Sequence, residues 1–533
     1  MIRRMRPLFQ SLGFLTFLIT PLASQSAALG LFDNVQYKTD KLFVRDIVIK
    51  GDTIFPQAVL KGILSKYKGQ DIQKTDIKAI EEQVTRLYTS QGYINSGAKF
   101  PPQEIVDGVL VLEIIHGRLS KVQNFGNKNL DNAYVHAHLK SSLSVPFNVN
   151  ELNTSLAVLQ EHELVKGINA RLSPTGTPGE AALELYINER TPYQFHFGVD
   201  NHQSPSIGKN RLTLGAAYHG LGTKRDKIGV NLGFTEGYRD VSFNYLVPVS
   251  KLDSQLDFFY QRSNFSIVEE DLKDAEIESD FQRASMNLNF EAWNDITQVG
   301  TLFFGLENTQ TETSILGESL FPAESLVTTS FSTGIDWRIR KAKHRLSFRI
   351  AAEQGLSLAG ATVQEGKTDG IYKKASTQLS YIARIMADHR IAFRLYGQAV
   401  DDAVLPAQKF AVGGMQSVRG YRKNMFVRDN GFASSVELYF SVASRLHLVP
   451  FFDYGAAWSQ PIKDNPSDVQ SREKIYSTGL GLTWFNKKIV SSLFWARPLV
   501  DVPIETLSKA QQESGQTPAL QGDEVYLSFS YHI

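Results

Sequence analysis

The chain contains no cysteine among its 533 residues. That excludes disulfide frameworks, thiolate metal sites and thiol nucleophiles together. It lacks an excess of either charge, with 56 Lys+Arg against 55 Asp+Glu, so no bulk cationic field argues for nucleic acid. It also lacks any apolar run of about 20 residues, the length a spanning helix needs. No phosphate-cradling loop is present, and "GLGLTW" (Gly479–Trp484) reads instead as small residues on a strand. The 11 histidines are scattered. His136 and His138 sit two apart on a helical segment, pointing to different faces, and no Ser/His/Asp arrangement emerges. The expectation is a protein without catalysis, cofactor, metal or nucleotide.

What the chain has is aromatics, 33 Phe and 20 Tyr, combined with a mildly polar mean hydropathy of −0.20. A transmembrane β-barrel averages to this profile, because its strands alternate lipid-facing and lumen-facing residues. The N-terminus supplies an address: "MIRRMR" is basic, "LGFLTFLI" is a short apolar core and "SQSAA" a small-residue cleavage region. Residues 1–28 therefore read as a secretory signal peptide, and 29–41 as a short N-terminal segment.

Two modules follow. The first, residues 42–118, reads strand, helix, helix, strand, strand. In its second helix Ile77, Ile80, Val84, Leu87 and Tyr88 share a face, with Thr75 expected as N-cap and Gly92 as the stop. Residues 119–190 repeat the pattern, so two copies of one α/β fold are expected in tandem.

From residue 191 to 533 the period is two, over about sixteen candidate strands. Short turns such as "TKRD", "RKAKH" and "NKK" alternate with long polar stretches such as "VEEDLKDAEIES". One rim of short turns and one of long loops is the outer-membrane arrangement, with the short turns periplasmic. In "EVYLSFSYHI", Val525, Leu527, Phe529, Tyr531 and Ile533 form one apolar face; in "FSTGIDWRIR", Phe331, Ile335, Trp337 and Ile339 do. The opposite faces place Asp336, Arg338, Arg340, Arg345, Arg349, Arg394, Glu291, Glu353 and Glu437 in the lumen. A charge on the lipid side costs ~2–4 kcal/mol near the midplane. The lumen is thus expected to be polar, wet and mixed in sign.

Between strands lies "AVGGMQSVRGYRKNMF" (Ala411–Phe426), glycine-punctuated, basic and without period. It resembles, in "VRGY" (Val418, Arg419, Gly420, Tyr421), the signature of an inward-folded loop in the TpsB-type transporters of two-partner secretion, relatives of haemolysin and adhesin secretion proteins. "FFDYG" (Phe451–Gly455) is similar to that family's barrel-wall signature, carried here by Phe451, Asp453 and Gly455. "GY", "PPQ", "DGVL" and "GRL" resemble its first POTRA module, and "LQEHELVKGINARLSPTGTPGEAALEL" its second.

The resemblance implies a sixteen-stranded outer-membrane barrel with two periplasmic POTRA domains and an inward loop over 401–431. It also implies a role: recognising a secreted partner exoprotein, an adhesin, haemolysin or similar, and conducting it unfolded to the surface. Arg419 would meet Asp453, since Phe451, Asp453, Gly455 and Ala457 share the lumen face of their strand. The residues alone leave open a second arrangement, in which Asp453 pairs with another strand's arginine and Arg419 is solvated. The family's pore-plugging helix has little room in Leu29–Lys41, so the loop is expected to be the main obstruction. Other readings of the same features are a barrel-assembly factor of the wider superfamily and a passive porin.

Overall fold

The computed structural model describes residues 18–19, 41–319, 325–363, 370–386, 388–460, 472–502 and 522–533. The signal-peptide reading and the segment preceding Lys41 fall outside the described residues, apart from Leu18 and Ile19. The chain forms two compact units divided between residues 191 and 192.

The first unit holds two copies of one fold. In the first copy, strand Asp46–Lys50 runs parallel to Val109–Ile115, which pairs antiparallel with Gly97–Lys99. In the second, Arg118–Phe125 runs parallel to Glu180–Glu189, which pairs antiparallel with Val165–Pro174. Each sheet is covered by two helices, Gln57–Leu64 with Lys74–Ser90, and Asn132–Leu139 with Val149–Gln160. Ile77, Ile80, Val84 and Tyr88 are buried at helical spacing. The helix begins two residues earlier than expected. Gln73, not Thr75, is the N-cap, and Asp76 reaches back to the Gln73 N–H at 2.8 Å, closing a capping box. A small extra pair, Leu42–Val44 with Gln70–Ile72, lies beside the first sheet.

The two copies are joined by hydrogen bonds at a single seam. Asn148 Nδ2 donates to Gln91 O (3.1 Å), Val149 N to Gly92 O (2.9 Å), and Phe147 N to Gly117 O (2.7 Å). Asn95 Nδ2 donates to Gly179 O at 3.0 Å. Ile94 of the first copy packs on the core of the second.

In the second unit sixteen antiparallel strands close a barrel, from Tyr193–Asp200 to Glu524–His532, which pair with each other. A two-residue extension, Glu318–Ser319, folds back on the end of Gln298–Ile315. Connections such as 295–297, 341–343 and 486–488 lie on the rim where Tyr193 enters, and longer ones lie on the other. The exception on the long-loop rim is the turn 235–237, only three residues long. Phe195, Phe290, Phe452, Val525, Leu527 and Ile533 are exposed on the outer face. The period-two pattern produces this: outward positions are apolar, and inward positions carry ion pairs such as Arg349–Asp336 (2.6 Å).

Candidate functional site

The site is built where the inward loop meets the wall formed by Asn430–Ala443, Leu446–Trp458, Arg472–Phe485 and Ile489–Pro498. On Leu446–Trp458 the alternation turns Phe452 outward and Phe451, Asp453 and Ala457 into buried inward positions. Inside the loop, Phe410–Val412 pairs antiparallel with Phe426–Arg428, making a narrow ribbon. Its tip turns on Gly413 (φ 117°) and Gly414 (φ 87°), backbone angles that only glycine adopts without strain.

Arg419 is fully buried. Its Nε donates to Asp453 Oδ2 (2.7 Å) and its Nη2 to Oδ1 (2.8 Å), a bidentate fork, while its backbone N–H reaches Oδ2 at 3.1 Å. Nη2 also donates to Ser435 Oγ (3.0 Å). Nη1 stands 2.9 Å from Glu437 Oε1, an ion-pair distance without hydrogen-bond alignment. Glu437 is engaged in turn by Arg394 (2.6 Å) and by the Tyr439 hydroxyl (2.8 Å). The guanidinium lies 3.5 Å over the centre of the Phe451 ring and 5.0 Å from that of Phe494. Arg419, Asp453 and Glu437 are buried, and Arg394 reaches them from the lumen side, so two arginines balance two carboxylates where a lone buried charge would be very costly.

Glycines on the wall make the room. A Cβ on Gly479 would stand 2.6 Å from the Phe451 ring, and one on Gly481 2.2 Å from that of Phe494. The "GLGLTW" run therefore seats the two rings that bracket Arg419. Gly455 does the same for Val412 and Val418, whose methyls come within 2.5 and 2.8 Å of a Cβ there.

The rest of the motif is anchored too. Gly420 (φ 84°) passes against Pro498, and its N–H donates to Tyr526 Oη at 3.0 Å. Tyr421 Oη accepts from Val500 N (3.2 Å) and lies 2.9 Å from Val500 O. Val412, Val418, Tyr421 and Phe426 pack with Ala457 and Ile475. Beyond the motif, Arg422 forks onto Glu269 (Nη1 to Oε1, 3.1 Å) and Ser206, and Lys423 contacts Gln203. These partners belong to two other loops on the long-loop rim.

The remaining sequence-nominated charges are spread around the lumen. Glu353 contacts Lys374 (2.9 Å) and the Tyr372 hydroxyl, and Glu291 accepts from Asn294 at 3.1 Å. Arg338, Arg340 and Arg345 lie near the short-turn rim, away from Arg419. Sequence reasoning placed Glu437 in the lumen without linking it to Arg419, and missed Ser435, Tyr526, Phe494, Arg422 and Glu269. Gly479 and Gly481, glycines at inward strand positions, were the one local signal that something bulky rests there. Among the described residues no group of His, Asp and Glu is arranged to hold a metal ion.

A closed barrel with an apolar exterior, a charged lumen and a loop bolted inside it defines an outer-membrane channel, here preceded by two POTRA modules. A family model described as haemolysin secretion/activation protein ShlB/FhaC/HecB matches residues 179–484, and a POTRA domain model of ShlB type matches residues 42–117. The chain belongs to the haemolysin secretion/activation protein family. The heme/hemopexin transporter protein HuxB of Haemophilus influenzae is 24% identical over 457 residues, covering 80% of this chain and 77% of that protein. The outer membrane transporter CdiB of Escherichia coli is 21% identical over 477 residues, covering 86% and 79%. The solved structure of CdiB from Escherichia coli aligns with a TM-score of 0.64 at 19% identity, over 94% of this chain and 92% of that one. BamA from Haemophilus ducreyi lacking POTRA domains 1-3 aligns with a TM-score of 0.57 at 15% identity, over 92% and 100%.

Proposed function

We infer that this protein is an outer-membrane channel that takes a partner exoprotein from the periplasm and passes it unfolded to the cell surface. The POTRA modules, on the periplasmic side, receive the partner, and the polar lumen conducts it. The observation that carries the reading is the loop 401–431, held within a closed barrel by Arg419 on Asp453. It is a removable obstruction in a channel wide enough to need one. The energy for export comes from the partner folding outside, which withdraws chain from the pore, and no catalytic step or cofactor takes part. The partner is a secreted adhesin, haemolysin or similar exoprotein, in line with relatives named for heme/hemopexin transport and as outer membrane transporters.

Co-expression with the exoprotein encoded beside it, followed by assay of the medium, tests this. Export lost on deleting residues 42–190, with the barrel still inserted, is the expected result. Unchanged export together with a general defect in other outer-membrane proteins would instead assign the chain to barrel assembly, the reading suggested by the BamA-like fold. Export independent of both the modules and the loop would leave a passive porin.

A further inference from the structure

The lumen charges are segregated by height as well as mixed in sign. Four consecutive strands, Leu326–Arg340, His344–Leu356, Lys373–Arg384 and Arg390–Val400, end or begin at the short turns 341–343 and 385–389. Their inward faces are fixed by the ion pairs Arg349–Asp336, Lys374–Glu353 and Arg394–Glu437, which lie further inside the barrel. Counting outward in twos from those pairs brings Arg338, Arg340, Arg345, Arg384 and Arg390 to the lumen face at the short-turn rim. Arg340 stands directly across from Arg345, and Arg384 directly across from Arg390.

Like charges directly opposite each other destabilise a sheet. Two or more inward positions deeper the charges alternate in sign instead: Asp336 meets Arg349, Glu353 meets Lys374, and Arg394 meets Glu437 of the next strand. The arc spans four strands, roughly 15 Å of wall at ~4.8 Å per strand, and lies ~13 Å from Arg394 along the strand. Arg338 and Arg345 are exposed to the lumen, and the other three are half-buried. Arg390 is braced over the Phe485 ring (5.4 Å) with His447 beside it, 3.5 Å from Nη2 to Nε2. Lys341 and Lys343 in the adjoining turn add to the field, and Asp388 in the other turn opposes it. A concave wall with an excess of one sign focuses its potential into the lumen.

We propose that this arginine arc is the receiving surface for an acidic, extended segment of the exported chain at the periplasmic mouth of the channel. The proposal rests on the secretion reading and adds to it the chemistry of what enters first. Carboxylates of an extended chain recur at strand-like spacing and can pass from one guanidinium to the next. The neutralised layer above, Arg349–Asp336 and Arg394–Glu437, would not hold them. The arc therefore attracts the segment without trapping it along the whole pore.

The test begins with the purified full-length protein in planar lipid bilayers under a KCl gradient, with no partner present. The wild type is expected to prefer chloride. The variant R340Q/R345Q/R384Q/R390Q should lose that preference, and the corresponding glutamate variant should favour potassium. A poly-glutamate peptide added on the periplasmic side should block wild-type current about tenfold more strongly than that of the glutamine variant, with poly-lysine giving no block. Heat-modifiable gel mobility reports that each barrel is folded. If the quadruple variant does not fold, R340Q/R345Q and R384Q/R390Q alone should each lower the preference. A wild type without anion preference, or one whose preference and peptide block survive neutralisation, overturns the proposal. Secretion of the exoprotein is measured separately: export intact in a variant that has lost selectivity removes the acidic-segment role while leaving the secretion reading in place.

Discussion

Val418 closes directly onto Gly455: a Cβ at residue 455 would lie 2.8 Å from Val418 Cγ2 and 2.5 Å from Val412 Cγ1. The loop's apolar edge thus occupies the space that a side chain on the wall would take. Gly455→Val should force loop and wall apart at a cost of ~1–3 kcal/mol. The barrel should still fold, because the inward face of one strand is all that changes. Raised single-channel conductance with unchanged heat-modifiability is expected; a quiet channel like the wild type would show that the loop does not depend on this fit.

Arg419→Ala and Asp453→Ala should have similar effects on pore closure, and the double variant little more than either alone. Removing one partner strands a buried charge, which costs ~3–5 kcal/mol, whereas removing both does not. Arg419→Lys should rescue poorly, since an ammonium cannot supply the fork to Asp453 while spanning to Ser435 and Glu437. Additive losses in conductance and export would mean the two residues act separately.

The loop has a second hold at Arg422. Its fork on Glu269 is less buried than the Arg419 cluster, with side-chain exposures of 12% and 19%. Arg422→Ala should therefore open the channel more often but briefly, a smaller effect than Arg419→Ala, and Glu269→Ala should match it. Dwell-time distributions in bilayer recordings distinguish the two holds. Long openings in Arg422→Ala would reverse their ranking.

Phe451→Leu keeps the volume near Arg419 roughly but removes the ring face 3.5 Å beneath the guanidinium. A loss of ~0.5–2 kcal/mol of loop anchoring is expected. Thermal unfolding followed by tryptophan fluorescence should change little, while loop protection from protease should fall. Unaltered protection would assign Phe451 to packing alone.

At the seam between the POTRA modules, Asn148 both caps the helix Val149–Gln160, accepting from Asn150 N at 2.8 Å, and bonds Gln91 of the other module. Asn148→Ala should cost ~1 kcal/mol as a lost cap, and should also expose the junction near Gln91 to protease in the full-length protein. Export should fall if the modules work as one body. Cleavage unchanged from the wild type would show that the remaining seam bonds suffice.

The sequence and the structure part company in specific places. Period two reveals which face of a strand a residue occupies, and that was enough to turn Phe451, Asp453 and Gly455 toward the loop and Phe452 away from it. It says nothing about height in the barrel or which strands are adjacent. Glu437 was readable as a lumen charge, yet its closeness to Arg419 depends on the register of Asn430–Ala443 with Leu446–Trp458, and Tyr526 comes from a strand about a hundred residues away. Arg340 and Arg345 flank the short turn "RKAKH" and so were placeable at that rim, whereas their facing register, like that of Arg384 with Arg390, came only from the strand pairing. Residue type alone points to Thr75 as the cap, but Asp76 at the third helical position makes the preceding Gln73 the better start, and the capping box decides it.

Both feet of the inward loop stand on neighbouring strands, since Arg390–Val400 and Asn430–Ala443 are hydrogen-bonded to each other. Whatever draws the loop aside therefore leaves it tethered beside its own seat. Its return is an intramolecular search over a short span, at a high effective concentration that no dilution of the cell can alter. On the proposed reading the channel can therefore reseal itself after each passenger, with no second protein and no fuel.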